Sequence, residues 1–488
     1  MHVCIVGSGT SGWLVANQLK ELDVISKVTV IGSPKIPHIG VGESTTLSLP
    51  NSHSTFNADL KDFITKSHAS VKYGVYYQNW SKRDWIHFFK SKLPFERTNP
   101  KLNARLYLNL LGNKSKDTFI HDFYGKHIWR EVVGKNNIFP NNRGINEGNE
   151  EYPHSYHFDA GKYIEYLKGI ALKSFKINFI PQTVENVEFK GEEILSLNLD
   201  NNSKITADYY INTTGQRLNS KNIFNEIYEP IGDVLLTNKA VVYPLEYKNK
   251  HKEFHPYTIA KTMKNGWRWI TPTWERIGTG YTFSDNHISV DEAVDEFITD
   301  IGDRTIEPIV VDFTPRISKK AFKINHCSIG MANGFLEPLD APGLALTNLL
   351  TTHISKLLTH YGKDFKSNPL WLENLDHFNT QVRGSYDFWV TFILNQYKSC
   401  YREDTDFWKD QKNVKWDKLD LAISDLNAYC DIHKNDFDVL MLAQTLASRD
   451  IQFNNPVPNH LTPLDYPLPE SLPVTKHHLE WIESFHTL

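Results

Sequence analysis

The sequence predicts an α/β protein, in which a parallel, dinucleotide-binding sheet is joined to an antiparallel sheet and closed by C-terminal helices. Three features predict it. Gly7-Ser8-Gly9-Thr10-Ser11-Gly12 stands between strand-like and helix-like segments, residues 236–325 hold short β-favouring runs, and helical spacing returns after residue 341.

His2–Val6 is a short apolar run that suits a strand, and residues 11–22 carry Trp13, Leu14, Ala16, Leu19 and Leu22 at helical spacing. Lys27–Ile31 reads as a second strand, which completes one βαβ unit and implies parallel pairing. In the turn between them, Gly7 permits the sharp bend and Gly9 lets backbone approach a pyrophosphate. Gly12 lets helix and strand pack closely, so the helix N-terminus points at the phosphates. The second strand ends in Ile31-Gly32-Ser33, without the acidic residue that holds the ribose of NAD.

Residues 80–155 are polar, aromatic-rich and broken by Gly, Pro and Asn, and read as a loop-rich insertion. Residues 159–174 read as helix. Residues 176–212 alternate in strands, ending in a run over 205–212 before the turn Thr213-Thr214-Gly215. This later strand-to-turn, coming after the first, favours FAD over NAD. Residues 236–325 read as antiparallel strands and 341–360 as a helix. Beyond 370, helical pieces alternate with a tail carrying Pro456, Pro458, Pro463, Pro467, Pro469 and Pro473. The expected organisation is a discontinuous FAD-binding body over residues 1–375, with the insertion at 80–155 and a substrate-side sheet at 236–325. A helical cap follows over 376–488.

A formal charge of −4 gives no reason to expect a nucleic-acid partner, which needs clustered basic residues. No stretch is long and apolar enough to span a bilayer. The N-terminus enters a strand at once, without a charged leader region. Cys4, Cys327, Cys400 and Cys430 lie far apart with no C-x-x-C pair, so neither a metal site nor a disulfide framework is expected. A reducing, cytoplasmic setting is the simple expectation. The aromatic residues (Trp 12, Tyr 22, Phe 27) suit a pocket that stacks flat rings, and equally an ordinary core.

Gly9-Thr10-Ser11-Gly12-Trp13 and Gly40-Val41-Gly42-Glu43-Ser44-Thr45 together resemble motifs of the flavin-dependent tryptophan halogenases. The likeness continues in order through Ser70-Val71-Lys72-Tyr73-Gly74-Val75, His157-Phe158-Asp159-Ala160 and Trp267-Arg268-Trp269-Ile270-Thr271-Pro272. It runs on through Arg276-Ile277-Gly278-Thr279-Gly280-Tyr281, Gly334-Phe335-Leu336-Glu337-Pro338-Leu339-Asp340 and Arg402-Glu403-Asp404-Thr405-Asp406-Phe407-Trp408. The resemblance implies an FAD-binding fold of the aromatic-hydroxylase type. It also implies FADH2, O2 and a halide (chloride, bromide or iodide), a small aromatic substrate, and a separate flavin reductase. At the cofactor it implies Gly7, Ser8, Gly9, Thr10, Ser11, Gly12, Ser33, Ile36, Ile39, Val41, Ser44, Val184 and Leu344. A homo-oligomer stays open.

In the family, hypohalous acid formed beside the flavin travels to a lysine next to the substrate, and Lys72 matches that lysine. Taken alone, a lysine between Val71 and Tyr73 reads as a solvated strand-face residue. An ammonium can polarise hypohalous acid, and a desolvated amine can become a haloamine. Asp340 matches the partner carboxylate, normally a glutamate, and also reads as an N-cap for the following helix. Where the family has Ser-Thr-Gly at the halide, this chain has Ala341-Pro342-Gly343, and Pro342 has no N–H to donate. Halide contact would then fall to Gly343 and the helix N-terminus, favouring bromide or iodide, which are cheaper to desolvate than chloride. Trp267 and Trp269 share one strand face and would shield the substrate from the flavin, or simply fill the core. His157 reads as base or structural residue. Residues 449–473 show little of the family's segment for gripping free tryptophan, which leaves indoles, phenols and carrier-bound rings open. An FAD-dependent aromatic hydroxylase and a catalytically inactive flavin-binding homologue are the alternatives.

Overall fold

The computed structural model describes residues 1–36, 43–80, 85–88, 154–216, 222–419, 479 and 482–486. Most of the expected insertion at 80–155, the proline-rich tail, Ile39 and Val41 lie outside the described residues.

The first sheet runs His326–Ser328, Tyr209–Asn212, His2–Val6, Lys27–Ile31, Ile177–Ile180, and every neighbouring pair is parallel. Covering on both faces explains why His2–Val6 and Tyr209–Asn212 are nearly continuous buried runs. The helix after the glycine turn spans Thr10–Leu19, ending short of the expected residue 22. The expected strand over 205–212 is two strands. Lys204–Ile205 pairs antiparallel with Glu193–Leu199, and the chain then turns into the parallel sheet, where Asp208 accepts from the His2 backbone N–H at 2.7 Å.

The second sheet orders its seven strands Ile309–Asp312, Lys239–Leu245, Ile277–Phe283, Gly266–Pro272, Thr258–Met263, Gly74–Gln78, Trp85–Phe88. All pairs are antiparallel except Thr258–Met263 with Gly74–Gln78. The expected antiparallel region is therefore extended by strands from residues 74–88. It is also interrupted by a helix, Val290–Ile301, that alternation alone did not predict. Ser289 and Glu292 close a reciprocal capping box at its start, and Gly302 at φ +75° ends it. Ala293 and Phe297 then pack on Val241, Tyr281 and Phe283 of the sheet.

Three small sheets complete the described strands, and one of them orders Glu43–Ser44, Ser155–Phe158, Ser70–Lys72. The strand Ser70–Lys72 passes into Gly74–Gln78 after one step at Tyr73, whose N–H is taken by the Pro256 carbonyl at 2.8 Å. The helices Pro342–Tyr361, Leu370–Ser399 and Asp406–Asn413 close the other side. One hydrophobic cluster runs from Val3 and Ile5 through Trp267 and Trp269 to Phe392 and Tyr397. Removing the Ser289 cap in a Ser289→Ala variant is expected to cost about 1 kcal/mol of stability. Urea denaturation checks this, and an unchanged midpoint would contradict it.

Candidate functional site

The glycine turn is built for a ligand that needs bare backbone. A Cβ on Gly7, at φ +117°, would lie 2.4 Å from the Thr213 carbonyl oxygen, and one on Gly12 would lie 2.0 Å from that of Gly7. A Cβ on Gly32 would meet the Ser8 hydroxyl at 2.1 Å. Gly9 starts the helix with no capping side chain and no acidic residue in the first turn. A negative pyrophosphate fits such an end. Ser33 Oγ lies 2.8 Å from Thr183 Oγ1, beside buried Val184, while Ile36 is largely exposed. Ser11 Oγ lies 3.4 Å from Thr347 Oγ1, which brings the first turns of Pro342–Tyr361, Leu344 included, next to the glycine turn. Ser44 sits in the small sheet with its hydroxyl 2.8 Å from that of Thr258.

Lys72 ends the strand Ser70–Lys72, opposite Ser155, and is fully buried. This removes the solvated strand-face alternative. Its Nζ donates to the Thr45 carbonyl at 2.9 Å, and the Thr45 hydroxyl is itself held by Ser155 and by the Tyr156 carbonyl. Burial pushes the Lys72 amine down from 10.5 to about 7, and the nearby Asp340 carboxylate pulls the other way without cancelling it.

Asp340 is buried and does not cap the helix. The N-cap is Ala341, which makes no side-chain bond there, with Pro342 in the first turn as its missing N–H allows. Ala341 (φ 56°) has left-handed backbone, and so does Asp340 (φ 58°), whose carboxylate stands one residue before the N-cap. It accepts instead from the Tyr77 hydroxyl on the strand Gly74–Gln78. Gly343 is exposed, and a Cβ added there would meet nothing within 4 Å.

Trp267 and Trp269 stand on one face of their strand, ring centroids 6.1 Å apart, and both belong to the main core. Gly280 on the neighbouring strand leaves room for the Trp269 ring, since a Cβ there would approach it to 2.4 Å. The Trp267 indole N–H donates to Glu337 at 3.1 Å. Glu337 is fully buried and also accepts from Thr237 at 2.9 Å and Tyr397 at 2.8 Å. Burial still lifts its carboxyl to about 7 against the pull of those donors. Tyr77 and Glu337 are the residues that sequence reasoning did not assign to the site. Glu337 stood inside a quoted motif, three residues before Asp340, and that spacing was the available signal. His157 sits in the small sheet, its ring nitrogens 3.2 Å from the Ser70 hydroxyl and 2.9 Å from that of Thr258, as a structural histidine would. Among the described residues no group of three or more His, Cys, Asp or Glu could hold a metal ion. Among them, too, no helix is long and apolar enough to cross a membrane.

Residues 2–439 match the family model for tryptophan halogenase. A 7-chloro-L-tryptophan 6-halogenase from Kutzneria sp. (strain 744) is 26% identical over 442 residues, covering 84% of this chain and 81% of that protein. A solved tryptophan halogenase from Shewanella frigidimarina superposes with a TM-score of 0.78 at 20% identity, covering 100% of this chain and 94% of that one. A flavin-dependent halogenase from Xanthomonas campestris superposes with a TM-score of 0.75 at 20% identity, covering 100% and 96%.

The buried amine carries a stability consequence. Because its folded value lies near 7 and its free value at 10.5, folding opposes protonation of Lys72. The penalty is absent above pH 10.5, grows as pH falls, and levels off below about 7. Lys72→Met is therefore expected to raise folding stability at neutral pH by on the order of a few kcal/mol. The gain should shrink towards pH 10.5 in parallel urea titrations of both proteins. A pH-independent difference would contradict the burial account.

Proposed function

The chain belongs to the tryptophan halogenase family, and from that premise we propose that it halogenates an electron-rich aromatic carbon, with the Lys72 amine handing over the halogen. One observation carries the reading: a fully buried amine that is substantially uncharged near neutral pH, with a carboxylate beside it. The backbone of residues 7–12 would hold the FAD pyrophosphate, with Ser33, Ile36, Ser44, Val184 and Leu344 lining the rest of the cofactor. When bound as FADH2, the flavin supplies with O2 the oxidising equivalents that convert halide to hypohalous acid. A separate flavin reductase provides the reduced cofactor.

The remaining steps belong to the protein. The neutral Lys72 amine attacks the halogen of hypohalous acid. An N–halogen bond forms, the halogen–oxygen bond breaks, and water leaves with the amine proton. The aromatic carbon then takes the halogen as the N–halogen bond breaks. Asp340 accepts the ring proton and a proton returns to the amine, restoring Lys72. Trp267 and Trp269 keep the ring away from the flavin, which suppresses direct oxygen transfer. Residues 449–473, on which tryptophan was set aside, lie outside the described residues. The relatives named above as tryptophan halogenases make tryptophan the first acceptor to try.

Halide selection is the second part of the proposal. Pro342 offers no N–H and Gly343 is exposed, so the site gives a halide few donors. Bromide and iodide, which lose less hydration, are favoured.

The test supplies FAD, a flavin reductase and NADH, with chloride, bromide or iodide and a panel of tryptophan, free indoles and phenols, read by mass spectrometry. A halogenated product that requires halide is expected, and Lys72→Ala should lower its rate by about 100-fold or more. A halide-independent hydroxylated product would restore the hydroxylase alternative, and no product from any acceptor the inactive one. In halide competition, a preference for chloride would overturn the second part.

A further inference from the structure

We propose that Tyr77 is a positioning residue for this chemistry: its hydroxyl fixes the Asp340 carboxylate in place beside Lys72. The inference rests on the reading above and adds to it the group that makes a short carboxylate usable.

Asp340 stands one residue before the N-cap of the helix that follows, in left-handed backbone. From across the site, the Tyr77 hydroxyl donates to its carboxylate. Tyr77 is fully buried, so its ring cannot swing into solvent. The ring packs edge-on against Trp80 at 5.5 Å, and Trp80 is pinned by its indole N–H to the Ala260 carbonyl at 2.9 Å. Trp80 packs equally, at 5.5 Å, on Tyr397, the tyrosine that donates to Glu337. One indole thus backs two tyrosines, and each tyrosine donates to one of the two buried carboxyls of the 337–340 turn. Burial and the adjacent carboxylates push the Tyr77 phenol well above its ordinary value, so it remains a donor at any working pH. Lys72 and Asp340 also act on one another electrostatically, as do Asp340 and Glu337. Among the described residues, Lys72, Tyr77 and Glu337 are titratable groups that act on Asp340. A donor aimed at a carboxylate stabilises its anion, which favours the form able to accept the ring proton.

The test compares Tyr77→Phe, Asp340→Asn and the double variant in the complete assay with flavin reductase, bromide and an accepted aromatic substrate. The Phe variant keeps the ring and its packing and removes only the donor. It is expected to lower kcat about 10-fold or more while KM changes little, the size of one lost positioning hydrogen bond in an active site. In the Asp340→Asn background the same change should cost less than about 2-fold, since a residue acting through Asp340 has nothing left to act on. Equal losses in both backgrounds, or a wild-type kcat, would overturn the proposal. Should Tyr77→Phe fold poorly, a ring-fluorinated tyrosine at position 77 keeps the shape and strengthens the donor. Its kcat should then change in the wild-type background and not in the Asp340→Asn background, and equal effects in both would also overturn it. If Lys72→Ala and Asp340→Asn both halogenate like the wild type, it is the underlying reading that fails. If those two variants are crippled and Tyr77→Phe is normal, only the role of Tyr77 fails.

Discussion

Keeping one primary amine out of water is the constraint around which this molecule is arranged. Each unit by which burial lowers the Lys72 value corresponds to about 1.4 kcal/mol, and the attraction of Asp340 recovers only part of it. A structure that holds such a group must enclose it from several directions with elements stabilised elsewhere. Lys72 meets that need by standing where the chain leaves the small sheet for the large one, one residue before the break at Tyr73. The Thr45 carbonyl caps the amine from one neighbouring strand region and Ser155 faces it from another. The same enclosure that destabilises the ammonium leaves an uncharged amine available near neutral pH, which is what the proposed chemistry requires.

The turn that faces the amine is strained as well. Two consecutive non-glycine residues with left-handed backbone, Asp340 and Ala341, cost roughly 1–2 kcal/mol each. Such a conformation persists only when its surroundings fix it. Here the fixing comes from Glu337, tied to Thr237, Trp267 and Tyr397, and from the buried helix that begins at Pro342. The tie to Trp267 means that the tryptophan pair and the carboxylate turn cannot shift independently.

Much of the fold was legible because its signals are local. The strand–glycine turn–helix unit is written into about thirty consecutive residues, and the space around Gly7, Gly12 and Gly32 shows why nothing larger fits there. The helix at Val290–Ile301 was equally legible in principle from Ser289, Glu292 and Gly302, but its setting among β-favouring runs hid it. The site was legible only through ordered motifs. Alternation carries no information across Tyr73, where the chain changes sheets, so neither the burial of Lys72 nor the inward aim of Tyr77 could be read from their neighbours. For Asp340 the sequence leaves a helix cap beside the partner-carboxylate role, because an aspartate before Ala-Pro-Gly normally caps, whereas the N-cap in the structure is Ala341. Contacts such as Tyr77 with Asp340 join residues 263 positions apart, a separation at which local pattern says nothing.

The central claim is that halogen resides on the Lys72 nitrogen before it reaches the aromatic ring. Peptide mass spectrometry of enzyme turned over with reduced flavin, O2 and bromide, in the absence of acceptor, tests it directly. The account predicts that one halogen replaces one hydrogen on the peptide containing Lys72, and that the label disappears when acceptor is added. An unlabelled Lys72 in enzyme that goes on to halogenate the acceptor normally would contradict it.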